Sequence, residues 1–318
     1  MTVKAYLLCV FASFGGIFFG YDTGWMGGVL GTLLFNLGSI CILRVGTDCK
    51  AMPYYINMIT GLPFDTPAEL FVIPAAQQSL LTSILSVGEF FGAIMAGDIA
   101  DYFGRRVCII AGCLVFIVGG ILQTASTSLG LMVAGRLVAG FGIGFISAII
   151  ILYLSEIAPR KVRGAIVSGY QFNITIGILL ANCVVYSTQN RLDTGSYRIP
   201  VAVQFLWALI LGTGLFLLPE SPRWFVKKGR VDAASVALAR IRGQPADSGY
   251  VQEELAEIIA NHEYETELIP ANTYWSSWSA CFSGSLRDPG SNLRRTILGT
   301  SLQMVSHDML FRAPLGRR

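Results

Sequence analysis

The side chains in this sequence that could do chemistry are polar groups set inside apolar stretches. Asp22, Glu89, Arg136 and Gln171 each lie within a run of bilayer length, where an ionisable or amide group is costly and faces a bundle interior or a cavity. Asp22 sits toward the outer part of the first run and Arg136 in the fourth, so the two are expected to pair in the core of a helix bundle. A carboxylate in a dry site beside a movable guanidinium exchanges a proton as its surroundings open and close. The alternative is a static ion pair. Gln171, within Gly169-Tyr-Gln-Phe-Asn173, offers both donor and acceptor, either to a ligand hydroxyl or to a neighbouring helix. Glu89, within Gly88-Glu-Phe-Phe-Gly92, is either a second protonatable group or a cavity-lining one. Enzymatic chemistry lacks its materials. The two histidines, His262 and His307, lie outside the apolar runs, and no nucleophile with a base and no metal-ligand spacing is seen, so neither an enzyme nor a cofactor is expected.

The elements that position these residues follow from composition. Of 318 residues, 53% are hydrophobic and only 14% charged, and the mean hydropathy is +0.59, far too apolar for a soluble protein. A hydrocarbon core needs about 20 apolar residues per helix, and six runs meet that need: 5–30, 77–96, 107–124, 129–154, 165–186 and 199–218. The first carries Asp22 and no small-residue cleavage site, so it reads as a retained span rather than a signal peptide. Arg105, Arg106, Arg160, Lys161, Arg163, Arg223, Lys227, Lys228, Arg230, Arg240 and Arg242 all follow even-numbered spans, whereas loops after odd-numbered spans hold Arg44, Lys50, Arg191 and Arg198. This bias predicts a cytoplasmic amino terminus and a cytoplasmic stretch after span six. That stretch, 219–292, reads as helical: 232–241 is alanine-rich and stops at Gly243, and 251–262 has Val251, Leu255, Ile258 and Ile259 on one stripe with Glu253, Glu254 and Glu257 solvated.

Net charge is +3, with no basic run interleaved with aromatics, which excludes nucleic acid as a partner and leaves the bilayer. Among seven cysteines, Cys9, Cys108, Cys113 and Cys183 fall in or at the ends of apolar runs and read as packing residues. Glycines at 135, 140, 142 and 144 predict close helix packing. The sequon Asn173-Ile-Thr175 lies within a span, out of reach of glycosylation.

Several motifs converge on one family. Gly97-Asp-Ile-Ala-Asp-Tyr-Phe-Gly-Arg-Arg106 resembles the loop signature of the major facilitator superfamily. Gly135-Arg-Leu-Val-Ala-Gly-Phe-Gly-Ile-Gly144, Ser155-Glu-Ile-Ala-Pro-Arg-Lys-Val-Arg-Gly164 and Pro219-Glu-Ser-Pro-Arg-Trp224 resemble sugar porter signatures, and Gly20-Tyr-Asp22 brings the resemblance to fungal hexose transporters. The resemblance implies an all-α membrane fold, the six-helix N-terminal half of a major facilitator with cytoplasmic helices. It implies a monosaccharide substrate contacted by Gln171, with Asp22 and Arg136 as the proton-coupling pair. It also implies a cytoplasmic gate of Asp101, Gly104, Arg105, Arg106, Glu156, Arg163, Glu220 and Arg223, whose role without gating would be topological. A plasma-membrane location and a possible proton partner follow in the same way.

Two segments depart from the family. Residues 32–51 interrupt a stretch that the family runs straight through, and their coding length of about 60 nucleotides suggests a translated intron. A seventh apolar run begins at 293, and after Met304 the tail 305–318 is unrelated to the family. The expectation is therefore a truncated transporter that does not transport alone. The alternative is a non-transporting sugar sensor or regulatory half.

Overall fold

The computed structural model describes residues 3–29, 53–63, 73–159, 162–189, 191, 193–268 and 297. The insert at 32–51, the seventh run apart from Ile297, and the tail lie outside the described residues. Among the described residues the chain forms helices and no strand: α1 (Val3–Ser13), α2 (Gly15–Val29), α3 (Pro53–Thr60), α4 (Ala75–Phe103), α5 (Arg105–Thr124), α6 (Leu129–Ile157), α7 (Arg163–Thr188), α8 (Gly195–Leu217), α9 (Pro222–Lys227), α10 (Val231–Arg242) and α11 (Gly249–Leu268).

Five of these, α4 to α8, are long and apolar enough to cross a membrane. They coincide with the second to sixth predicted spans. The first predicted span differs, because the run 5–30 is broken into α1 and α2 at Phe14. Gly15 and Gly16 follow the break, and glycine is a poor helix former. Ile17 N–H bonds to the Phe14 carbonyl at 3.0 Å and not to Ser13, and the Ser13 carbonyl instead accepts from Asn173 Nδ2 on α7 at 3.0 Å. A polar side chain inserted into the backbone ladder is a recognised cause of a kink.

The 29-residue helices α4 and α6 are about 43 Å long at 1.5 Å per residue, which exceeds a hydrocarbon core of about 30 Å. Asp101 and Glu156 lie in the last turns of α4 and α6, whereas Arg136 lies about two turns into α6. Helix α6 begins at Ser128, whose hydroxyl accepts from Leu131 N–H, and it is the most enclosed of the five long apolar helices. Small residues let its neighbours approach, which is how helices associate where lipid is as apolar as leucine. A Cβ on Gly88 of α4 would stand 2.5 Å from the Leu137 carbonyl of α6, and one on Gly142 of α6 would stand 2.6 Å from Phe116 N of α5. The same device joins α2 to α7, where a Cβ on Gly177 would meet Tyr21 N at 2.8 Å.

Buried apolar side chains form two clusters. One includes Phe18, Phe116, Ile146, Tyr153 and Leu215, and the other Tyr21, Trp25, Tyr55, Met132 and Val201. Cys9, Cys108 and Cys113 are buried as expected, whereas Cys183 is exposed. Helix α10 ends at Gly243 with φ 64° and ψ 36°, the predicted left-handed cap. The chain divides into two compact units, one holding 1–34 and 46–255, the other 35–45 and 256–318. In the second, the described residues are the end of α11 from Ala256 and Ile297. Val251 and Leu255, within the first unit, are buried. Glu254 corrects the expectation of a solvated face, because it is drawn into an ion pair with the buried Arg242.

Candidate functional site

Three helices meet at a buried polar group that holds both an acid and a base. Asp22 of α2, Arg136 of α6 and Gln204 of α8 are 1%, 2% and 1% exposed. Gln204 Nε2 donates to Asp22 Oδ1 at 2.6 Å, and Trp25 Nε1 donates to the same oxygen at 3.3 Å. Arg136 Nη1 stands 3.9 Å from it, inside Coulomb range but beyond a hydrogen bond. The guanidinium lies 5.3 Å from the Trp25 ring centroid, a cation–π distance. Trp25 thus serves both charges, one through its N–H and one through its face. Among the described residues, Asp22 Oδ2 and Gln204 Oε1 accept no hydrogen bond and Arg136 Nε and Nη1 donate none.

Sequence reasoning paired Asp22 with Arg136 and missed Gln204 and Trp25. The signal for Gln204 was present, as an amide in the middle of an apolar run. Trp25, three residues from Asp22, lies one helical turn on and on the same face.

Gln171 lies apart from this cluster. It is exposed on α7 beside Phe172, while the buried side of the helix is made by Tyr170, Gly177, Ala181 and Val185. Glu89 of α4 is half-buried.

At one end of the bundle six of the eight predicted gate residues, Asp101, Gly104, Arg105, Arg106, Glu156 and Glu220, assemble around the α4–α5 turn. Gly104 alone makes that turn, with φ 106°, a region that favours glycine. Arg105, 6% exposed, bridges two acids: Nη1 to Asp101 at 3.0 Å and Nη2 to Glu156 at 3.1 Å, with Nε also on the Glu156 carboxylate. Asp101 further pairs with Lys227 of α9, and its carbonyl accepts from Trp224 Nε1 at 3.0 Å. Glu220 turns to α5 and accepts from the backbone N–H groups of Arg105 at 3.1 Å and Arg106 at 3.1 Å, as well as from its own neighbour Ser221 at 2.9 Å. It is an N-cap delivered from a distant part of the chain, placing a carboxylate at the positive end of the helix dipole. Burial nevertheless raises the Glu220 carboxyl above its ordinary value, while these amides and the Arg105 charge pull it back. Arg163 opens α7 and Arg223 lies in α9, both half-buried. Sequence reasoning missed Lys227 and Trp224, as well as Arg242, which donates to the Ile157 carbonyl at the end of α6 at 3.0 Å and so ties α10 to the spans.

Apolar helices of bilayer length around a buried acid–base pair define a multi-span helical membrane protein with a polar core. The sequence matches the family described as sugar (and other) transporter over residues 8–307, and the chain belongs to that family. It is 43% identical over 301 residues to the major facilitator-type transporter ecdD of Aspergillus rugulosus, covering 95% of this chain and 50% of that protein. It is 36% identical over 300 residues to the high glucose sensor RGT2 of Saccharomyces cerevisiae, covering 92% of this chain and 34% of that protein. The chain thus spans about half the length, or less, of these curated relatives. Its fold resembles the proton:xylose symporter XylE bound to 6-bromo-6-deoxy-D-glucose, with a TM-score of 0.64 at 22% identity, over 83% of this chain and 54% of that one.

Proposed function

We propose that this chain is the N-terminal half of a plasma-membrane hexose transporter, with its amino terminus in the cytoplasm. Gln171 contacts the sugar, Asp22 and Arg136 couple its movement to a proton, and the cluster around Arg105 is the cytoplasmic gate. The observation that carries the reading is the buried Asp22, held by Gln204 at 2.6 Å and by Arg136 at 3.9 Å. A group so placed gains a proton or a charge partner only if the helices around it move, which is the condition for coupling titration to alternation. The exposed amide of Gln171 supports a cavity on that side of α7, since a polar group on a span needs a polar environment. The direction of charge bias supports the orientation.

Radiolabelled hexose uptake in cells that lack their own carriers tests the proposal. The 318-residue chain is compared with a version free of 32–51 and completed beyond 304. Uptake is expected only from the completed version, reduced at least about tenfold by Gln171→Ala, the loss of a hydrogen-bonding group from a polar site, and made independent of external pH by Asp22→Asn. Uptake by the 318-residue chain alone would overturn the half-transporter reading.

The likeness to RGT2 favours a second reading, a sensor that binds hexose without moving it. Saturable glucose binding by a completed chain that shows no uptake would select it.

A further inference from the structure

The first turn of α5, the α8–α9 connection and α10 enclose an open groove of about 450 Å³. Its walls are apolar, including Pro219, Phe225, Val236 and Ala237, with Arg106 and Arg240 among its lining. Both arginines are fixed at the end of a membrane span: Arg106 donates to the Phe216 carbonyl at 3.0 Å and Arg240 to the Leu217 carbonyl at 3.3 Å. Phe216 and Leu217 are themselves 61% and 73% exposed, as are Val107 and Leu114 on the adjoining outer face of α5 at 50% and 60%. Two cationic groups thus stand where an apolar surface ends and an apolar recess begins.

The surrounding charge favours an anion. Residues 219–242 hold six basic side chains and two acidic ones. Glu220 is turned into the α5 amides, Lys227 is committed to Asp101 and Arg242 to Glu254. Within the groove Arg240 is exposed and Arg106 half-buried, with Glu220 and Asp232 as its acids, while Lys228 and Arg230 are exposed beyond its lining. We propose that this groove seats an anionic phospholipid. The phosphate lies between Arg106 and Arg240, and the upper acyl chain lies on the apolar wall and the outer seam of α5 and α8. The inference rests on the reading of α5 and α8 as membrane spans and needs neither transport nor an orientation.

Native mass spectrometry of the purified 318-residue chain, equilibrated in micelles with equimolar phosphatidylserine and phosphatidylcholine, tests it. Phosphatidylserine adducts are expected to exceed phosphatidylcholine adducts at least about fivefold, since one basic side chain near an anionic headgroup is worth about that factor. Arg240→Ala is expected to lower the ratio about fivefold and Arg240→Lys to keep it. Val236→Trp, which fills the groove from a 64% exposed position and removes no charge, is expected to abolish the preference, while Arg191→Ala between α7 and α8 leaves it intact. Equal adducts of the two lipids in the unmodified chain, or a ratio unmoved by both Arg240→Ala and Val236→Trp, would overturn the proposal. Full displacement by soluble glycerophosphoserine would also overturn it, because the site would then read a phosphate and not a lipid.

Discussion

Asp22 is held more closely by neutral donors than by its counter-charge, at 2.6 Å from Gln204 against 3.9 Å from Arg136. Burying two charges is expensive, and removing one strands the other, which costs about 3–5 kcal/mol, whereas replacing both with apolar groups is often near neutral. Asp22→Leu is therefore expected to lower stability by about 3–5 kcal/mol and Asp22→Leu with Arg136→Leu by much less than the sum of the single changes, read as unfolding midpoints in detergent. Additive losses would show that the pair is not energetically coupled. Glu220 makes a different prediction because it lies outside the spans. Its carboxyl is raised in the folded state, so the folded chain binds that proton more tightly than the unfolded chain does. Its contribution is thus fully present below the unfolded value near 4.5 and is lost as pH rises through the folded value. Glu220→Gln, which keeps an acceptor for the α5 amides, is expected to flatten that part of the stability–pH profile, measured by thermal unfolding across the weakly acidic range.

At the scale of elements, the break between α1 and α2 depends on a contact from a helix about 160 residues away. Asn173→Leu leaves the Ser13 carbonyl without its donor, and an unsatisfied buried acceptor costs about 1–3 kcal/mol. A loss of that size in unfolding midpoint is expected, and no loss would mean that the glycines alone set the kink. This is also where the sequence stops being legible. Span positions were readable because bilayer thickness dictates length, and the turn at Gly104 because Asp101, Gly104 and Arg105 follow one another within five residues. The broken first span was not readable from its own 26 residues, since the residue that completes the break lies in α7. Asn173 was visible only as an unusable sequon. Glu220 is expected from sequence in the same gate as Arg223, yet its carboxylate caps α5, a pairing that no local pattern encodes. Lys227, Trp224 and Arg242 became partners of the spans only once α9 and α10 folded back on them.

The whole molecule is unevenly enclosed. Along its most apolar window α6 is 61% buried while α7 is 17% buried, so α7 carries a broad open face with Gln171, Thr175, Leu179, Cys183 and Tyr186 along it. Such a face meets either lipid or a water-filled cavity, and Cys183 tells them apart, since a thiol reacts with a charged reagent only where water reaches it. Cys41, Cys49 and Cys281 are first replaced by serine. In the 318-residue chain the open face is expected to meet lipid, so a membrane-permeant maleimide labels Cys183 and an impermeant one does not. In a version completed beyond 304 the second half is expected to cover the face and enclose water. Cys183 then reacts with the impermeant maleimide, and hexose slows the reaction in proportion to its occupancy of the Gln171 side of the cavity. Cys9, Cys108 and Cys113 are buried and remain silent in both, which makes them the internal control for folding. Labelling of Cys183 by the impermeant reagent in the shorter chain would mean that this face is already wet without the second half, and the open face of α7 would then belong to a self-assembled form of the chain.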